Sequence, residues 1–133
     1  MSLVEEAVLD LSYPALASQI PAIRRDVYEV ARDLGADDEV LLQINLAVSE
    51  AATNAVQHAY RDRAEAGDVR VVVREGYGDA LVVHVHDRGM GLAPRHDSPG
   101  LGLGLCLMAH ECARFEIRKS AGGGTEVILH FRL

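Results

Sequence analysis

Glu50 and Asn54 stand four residues apart in the run Ser49-Glu50-Ala51-Ala52-Thr53-Asn54-Ala55-Val56-Gln57-His58-Ala59-Tyr60. On a helix that spacing stacks them on one side. A carboxylate and a carboxamide so placed suit nucleotide chemistry. The first can take a proton from an attacking hydroxyl, and the second can offer a hard oxygen to Mg2+. His58 continues the row by four more residues, among small neighbours at Ala51, Ala52, Ala55 and Ala59. The same spacing also fits the solvated side of an amphipathic helix, and the pair alone does not decide between the two.

Two glycine-bearing stretches follow. Asp87 closes an apolar alternation of Leu81, Val83 and Val85, so it sits as a carboxylate at the end of a buried strand face. Such an acid needs a donor, which a purine amino group or a backbone amide could supply. Gly89 and Gly91 come next, where missing side chains would let a flat ligand approach the backbone, although Asp and Gly are equally at home in a turn. Gly100-Leu101-Gly102-Leu103-Gly104 then leads into a helix-like segment. Free amide N–H groups at such an entry, with the helix dipole behind them, favour an anion. The register is not that of a dinucleotide fingerprint, and ordinary turns account for most glycine runs.

These residues have to be held by regular elements. Ala7 to Leu11 reads as an opening strand, with Pro14 as its break. Ser18 to Pro21 is a helix entry; Ile23, Val27, Val30, Ala31 and Leu34 recur at helical spacing up to Gly35. A second helix is expected from Asp37 or Asp38, either of which can cap it, with an apolar stripe through Leu41, Ile44, Val48, Ala51, Ala55 and Ala59. Val69 to Arg74 and Ala80 to Asp87 read as strands joined by the turn Gly76-Tyr77-Gly78-Asp79. After a loop from Arg88 to Pro99 come a helix from Gly100 to Ala113 and strands at Phe115 to Arg118 and Thr125 to Phe131. Strands and helices grouped this way predict one mixed or antiparallel sheet with helices on one face.

Composition limits the chemistry. The chain has 133 residues, 49% of them apolar, and a formal charge of −7, which suits one compact domain over 1–133 and opposes general nucleic-acid affinity. Lys119 is its only lysine, so no Gly-x-x-x-x-Gly-Lys phosphate loop exists. Cys106 and Cys112 lie six apart and read as small buried thiols. The histidines form no His-x-x-x-His, and no Gly-x-Ser-x-Gly nucleophile is present. The acidic start, without the apolar run of a signal peptide, and the absence of a stretch of ~18 apolar residues predict a cytoplasmic protein with no membrane partner.

The order of the three elements resembles the GHKL ATPase superfamily, which groups DNA gyrase, a heat-shock chaperone, histidine kinases and a mismatch-repair protein. The run Ser49 to Tyr60 is most similar to the N-box of its small stand-alone branch, anti-sigma factors that are also serine-protein kinases. The resemblance covers nearly the whole chain. It implies an α+β, two-layer α/β sandwich of the Bergerat ATP-binding type, with a mixed, mostly antiparallel sheet and helices on one face. It also implies ATP and Mg2+ as cofactors, with Glu50 as general base and Asn54 as metal ligand beside His58. Asp87 would take the adenine amino group, with Gly89 and Gly91 beneath the base. Gly100, Leu101, Gly102, Leu103 and Gly104 would form the phosphate loop, and Thr125 would stand on the adenine side. Leu92 to Pro99 takes the place of the ATP lid and is short, carrying Arg95 and His96; the glycine loop lacks the Arg that anti-sigma members often have.

The function implied is a serine/threonine protein kinase. It would phosphorylate a small antagonist (anti-anti-sigma) protein and sequester a sigma factor, with homodimerisation a family expectation. The alternative is a nucleotide-dependent regulatory binding module without phosphotransfer.

Overall fold

A computed structural model describes residues 7–59, 67–88, 112–119 and 123–133. Strand β1 (Ala7–Pro14) leads through a 3-10 turn (Ala17–Gln19) into helix α1 (Ile20–Asp33) and helix α2 (Asp38–Asn54). A π-helical turn (Ala55–Ala59) extends α2, and strands β2 (Asp68–Gly76), β3 (Ala80–Asp87), β4 (Arg114–Lys119) and β5 (Thr125–Arg132) complete the chain.

The helix boundaries follow from local chemistry. Pro21 stands in the first turn of α1, where its missing N–H costs nothing. At the other end Gly35, with φ +100°, reverses the chain. The Ala36 N–H reaches the Ala31 carbonyl, and the Gly35 N–H reaches that of Arg32, each at 3.0 Å; this is the paired closure that a left-handed glycine permits. Two residues later the Asp37 carboxylate accepts from the Val40 N–H at 2.9 Å and caps α2.

All four strand pairings are antiparallel, in the order β1-β2-β3-β5-β4. The expected fold class is thus realised, with its sheet entirely antiparallel among the described residues. Helix α1 lies against β1, while α2 crosses β3 and β5. The core between the layers is built from Ile23, Val27 and Ala31 of α1, Leu41, Ile44 and Val48 of α2, and the inward residues of the sheet, from Val69 to Phe131. Burying each such Val, Leu or Ile side chain contributes about 1.5–3 kcal/mol. Ala47, Ala51, Ala52 and Ala55 are also buried and carry the α2 backbone close to the sheet.

Two expectations shift. Strand β1 does not break at Pro14 but ends on it, paired with Asp68. β1 is an edge strand, where a residue without an N–H is tolerated. Cys112 and Ala113 form a bend before β4 rather than the end of a helix, and Cys112 is buried, as expected; the rest of the expected 100–113 helix lies outside the described residues. Among the described residues no helix is long and apolar enough to cross a membrane.

Candidate nucleotide site

Helix α2 carries the first part of the site. Its Ala stripe faces the sheet, so Glu50 stands half-buried at the side of the helix and Asn54 turns further in, only 4% exposed. The Asn54 Nδ2 is buried and has no hydrogen-bond partner among the described residues. An orphaned buried amide atom costs about 1–3 kcal/mol, and nearly all buried polar groups avoid that cost. A half-turn of the carboxamide exchanges nitrogen and oxygen, so the unpartnered position is one from which a hard oxygen can be presented. The residue thus fits a Mg2+ ligand, which the remaining core would not call for. Ser49 has no such freedom, since its hydroxyl donates to the Asn45 carbonyl one turn back at 2.6 Å.

Directly after Asn54 the helix changes period. The Ala55 N–H is shared between the Ala51 and Ala52 carbonyls, and Ala55–Ala59 forms a π-helical turn that contacts β3. Such single turns of π-helix occur chiefly where a site has to be shaped. His58 lies within this turn, where the α-helical period that extended the Glu50–Asn54 row no longer applies. The turn left no mark in the sequence, because a run of five residues carries too little periodicity to reveal it.

The second part lies at the end of the sheet. Strand β3 alternates as expected, with Leu81, Val83, Val85 and Asp87 inward and His84 and His86 outward. Asp87 is 5% exposed and Thr125 is 2% exposed, and the antiparallel register places them directly opposite each other on β3 and β5. Both are engaged in polar interactions. Gly124, at φ +89°, packs its Cα against the Asp87 carbonyl and the Arg88 Cα so closely that a Cβ there would collide with both. The sequence carries three glycines in a row before Thr125, and the β3–β5 pairing is what requires the last of them to lack a side chain.

Glu50, Asn54, Asp87 and Thr125 are thus placed on α2, β3 and β5, elements in mutual contact. Gly89, Gly91 and the stretch Gly100, Leu101, Gly102, Leu103 and Gly104 lie outside the described residues, as does the expected lid. Among the described residues no group of three His, Cys, Asp or Glu side chains could by itself hold a metal ion; a Mg2+ held by one protein oxygen and substrate phosphates requires none.

The chain is similar to several known proteins. The family model for the histidine kinase-like ATPase domain matches residues 13–131. A serine-protein kinase RsbW of Bacillus licheniformis is 33% identical over 132 residues, covering 90% of this chain and 81% of the relative. An anti-sigma F factor of Pasteuria penetrans is 35% identical over 100 residues, 67% of this chain and 66% of the relative. Among solved structures, the RsbU and RsbW domains of a Mycobacterium tuberculosis protein superpose with a TM-score of 0.72 at 24% identity, over 95% of this chain and 33% of that longer one; the likeness is one of fold. With a family model spanning most of its length and relatives above 30% identity, this chain belongs to the histidine kinase-like ATPase domain family, in the branch of the serine-protein kinases and anti-sigma factors.

Proposed function

We propose that this chain is an ATP-dependent serine/threonine protein kinase of the anti-sigma type. The observation that carries the reading is the buried Asn54 Nδ2, without a hydrogen-bond partner among the described residues, one helical turn beyond the half-buried carboxylate of Glu50. A structural asparagine would have found a partner, and a surface asparagine would not be 4% exposed.

The division of labour follows from residue chemistry. Asp87, beside Thr125 and under the close turn at Gly124, would hold the adenine through its exocyclic amine. Asn54 would offer its amide oxygen to Mg2+, which when bound supplies charge neutralisation to the phosphates. Glu50 would accept the proton of the protein hydroxyl as its oxygen bonds to the γ-phosphorus; the bridging P–O bond breaks and ADP leaves. Gly89, Gly91, the loop Gly100 to Gly104 and His58 would complete the pocket around base and phosphates, as the resemblance implies. The acceptor would be a serine on a small antagonist protein, whose phosphorylation leaves the kinase free to hold a sigma factor; the names of the RsbW and anti-sigma F relatives support this pairing. The described helices support a non-membrane setting, for which we propose the cytoplasm, and we propose one domain over 1–133.

The test is transfer from γ-labelled ATP to a candidate antagonist. Label is expected on the antagonist, with its loss in Glu50→Gln and nucleotide binding retained in that variant. Nucleotide binding with no transfer to any antagonist would instead leave a regulatory binding module.

A further inference from the structure

The outer face of the sheet, turned away from α1 and α2, has a charge opposite to that of the chain. Alternation along the strands puts Arg70 and Arg74 of β2 on this face at one flank, and Arg114 and Arg118 of β4 at the other. Three strand spacings separate the flanks, about 14 Å. His84 and His86 of β3 and His130 of β5 lie between them. With Arg132 the described part of the face carries five arginines against four carboxylates, Asp10, Asp68, Glu116 and Glu126, one positive charge before any histidine is protonated. The whole chain is at −7.

Most charges on the face are paired, His84 with Glu126 at 3.3 Å among them, and Arg74, His86 and Asp68 have interactions of their own; the cationic excess lies on β4. Arg70 is taken up by Asp10 in a two-pronged contact at 2.6 and 2.8 Å. Glu116, however, is shared by two guanidiniums, from Arg114 at 2.5 Å and Arg118 at 3.2 Å. A groove of about 240 Å³ runs along the face between Arg70, Arg74, His84, His86 and Glu126. Its floor is Val72, only 6% exposed.

These features select among partners. A membrane surface would need apolar side chains to insert, and the groove offers none. A long nucleic-acid polyanion would meet the repulsion of the whole chain. A divalent cation would be repelled by the flanking arginines. A short acidic segment escapes all three objections, because its charge is confined to the face.

We propose that the outer face of the sheet is a docking surface for an acidic segment of a partner protein, whose carboxylates bridge the arginine flanks of β2 and β4. The segment lies on the reverse of the strands that hold Asp87 and Thr125, so it leaves the nucleotide side open and its binding does not require phosphotransfer.

The experiment is fluorescence anisotropy of a labelled decaglutamate peptide at about 0.15 M ionic strength, where charges more than about 8 Å away are screened, with a decaglutamine peptide as control. The whole chain should bind decaglutamate in preference to decaglutamine, and Arg74→Glu with Arg118→Glu should weaken it about tenfold or more. Nucleotide-induced stabilisation measured on the same variant reports that it is folded; if it is not, Arg74→Gln with Arg118→Gln takes its place, with the same loss expected. Failure of decaglutamate to bind, equal binding by the folded variant, or binding only to phosphatidylserine vesicles would overturn the proposal.

Discussion

Gly124 and Asp87 approach so closely that no side chain can stand between the turn before β5 and the last residue of β3. Position 124 also has φ +89°, a conformation that costs an L-residue about 1–2 kcal/mol. Gly124→Ala combines that strain with a collision against backbone, which cannot rotate away as a side-chain tip could. The expected loss is about 2–4 kcal/mol of unfolding free energy in urea. The ATP-induced rise in melting temperature should shrink with it, because Asp87 is displaced. Gly78, also at positive φ but with nothing near its Cβ direction, provides the control: Gly78→Ala should show the strain alone, about 1–2 kcal/mol.

Asn54 offers the opposite sign. Its Nδ2 is a buried donor without a partner among the described residues, so the ligand-free protein bears a cost there. Replacement by an apolar residue removes that cost, and Asn54→Leu should leave the ligand-free protein as stable as the wild type or about 1 kcal/mol more stable. The same variant should lose the additional stabilisation that Mg2+ gives in the presence of ATP. Asn54→Asp, which keeps an oxygen, should retain part of it. Differential scanning fluorimetry with ATP, with and without Mg2+, separates the two effects. An Asn54→Leu variant that is destabilised and still responds to Mg2+ would remove Asn54 from the metal site.

Much of this arrangement could be read before any coordinates. The Ile23, Val27 and Ala31 stripe, the Asp37 cap and the Gly35 stop are local signals, and each appears where the residues placed it. The Ala80–Asp87 strand matched to the residue, since strict alternation leaves no freedom of face. What escaped depends on distant partners. Pro14 could stay within β1 only because that strand lies at the sheet edge, and edge position is a property of the strand order. The π-helical turn after Asn54 is a deviation of one residue in a helix that otherwise reads as regular. The function of Gly124 rests on β5 pairing with β3 across a long stretch of chain. The Gly100 to Gly104 loop, a weak signal taken alone, lies outside the described residues.

Tyr13 anchors the edge strand to the helical layer. Its hydroxyl donates to the Asp26 Oδ2 at 2.8 Å, from a side chain only 6% exposed. Burial first, and then the bond to Asp26, hold the phenol well above its ordinary ionisation range. Because the folded state keeps the proton longer than the unfolded state does, this stability is fully present below the ordinary phenol value of 10 and is lost as the pH rises from there through the raised folded value. Tyr13→Phe leaves the ring in place but removes the bond, with an expected cost of about 1 kcal/mol at neutral pH. It should also flatten the alkaline limb of a melting-temperature profile, which a destabilising substitution elsewhere in the core would not do.

The acid limb should come in two parts, from groups on the outer face. Burial, followed by Arg114, pushes the His130 imidazole below its ordinary value of 6.5, with Glu116 pulling weakly the other way. An imidazole that resists protonation only in the folded state contributes stability above 6.5 that is lost as the pH falls through its lowered folded value. Asp10, held low chiefly by the hydrogen bond from Arg70, and Glu116, held low by that from Arg114, contribute stability above their ordinary values of 3.8 and 4.5. That part is lost only as the pH falls further, through their lowered folded values. The melting temperature should therefore decline first below neutrality and again at strongly acid pH. His130→Gln should flatten the first decline and leave the second, while Asp10→Asn should do the reverse. Both carboxylate pairs are solvent-exposed and screened, so added salt should shrink the second decline more than the first, in which burial leads. If His130→Gln leaves the first decline unchanged, the imidazole is not its source.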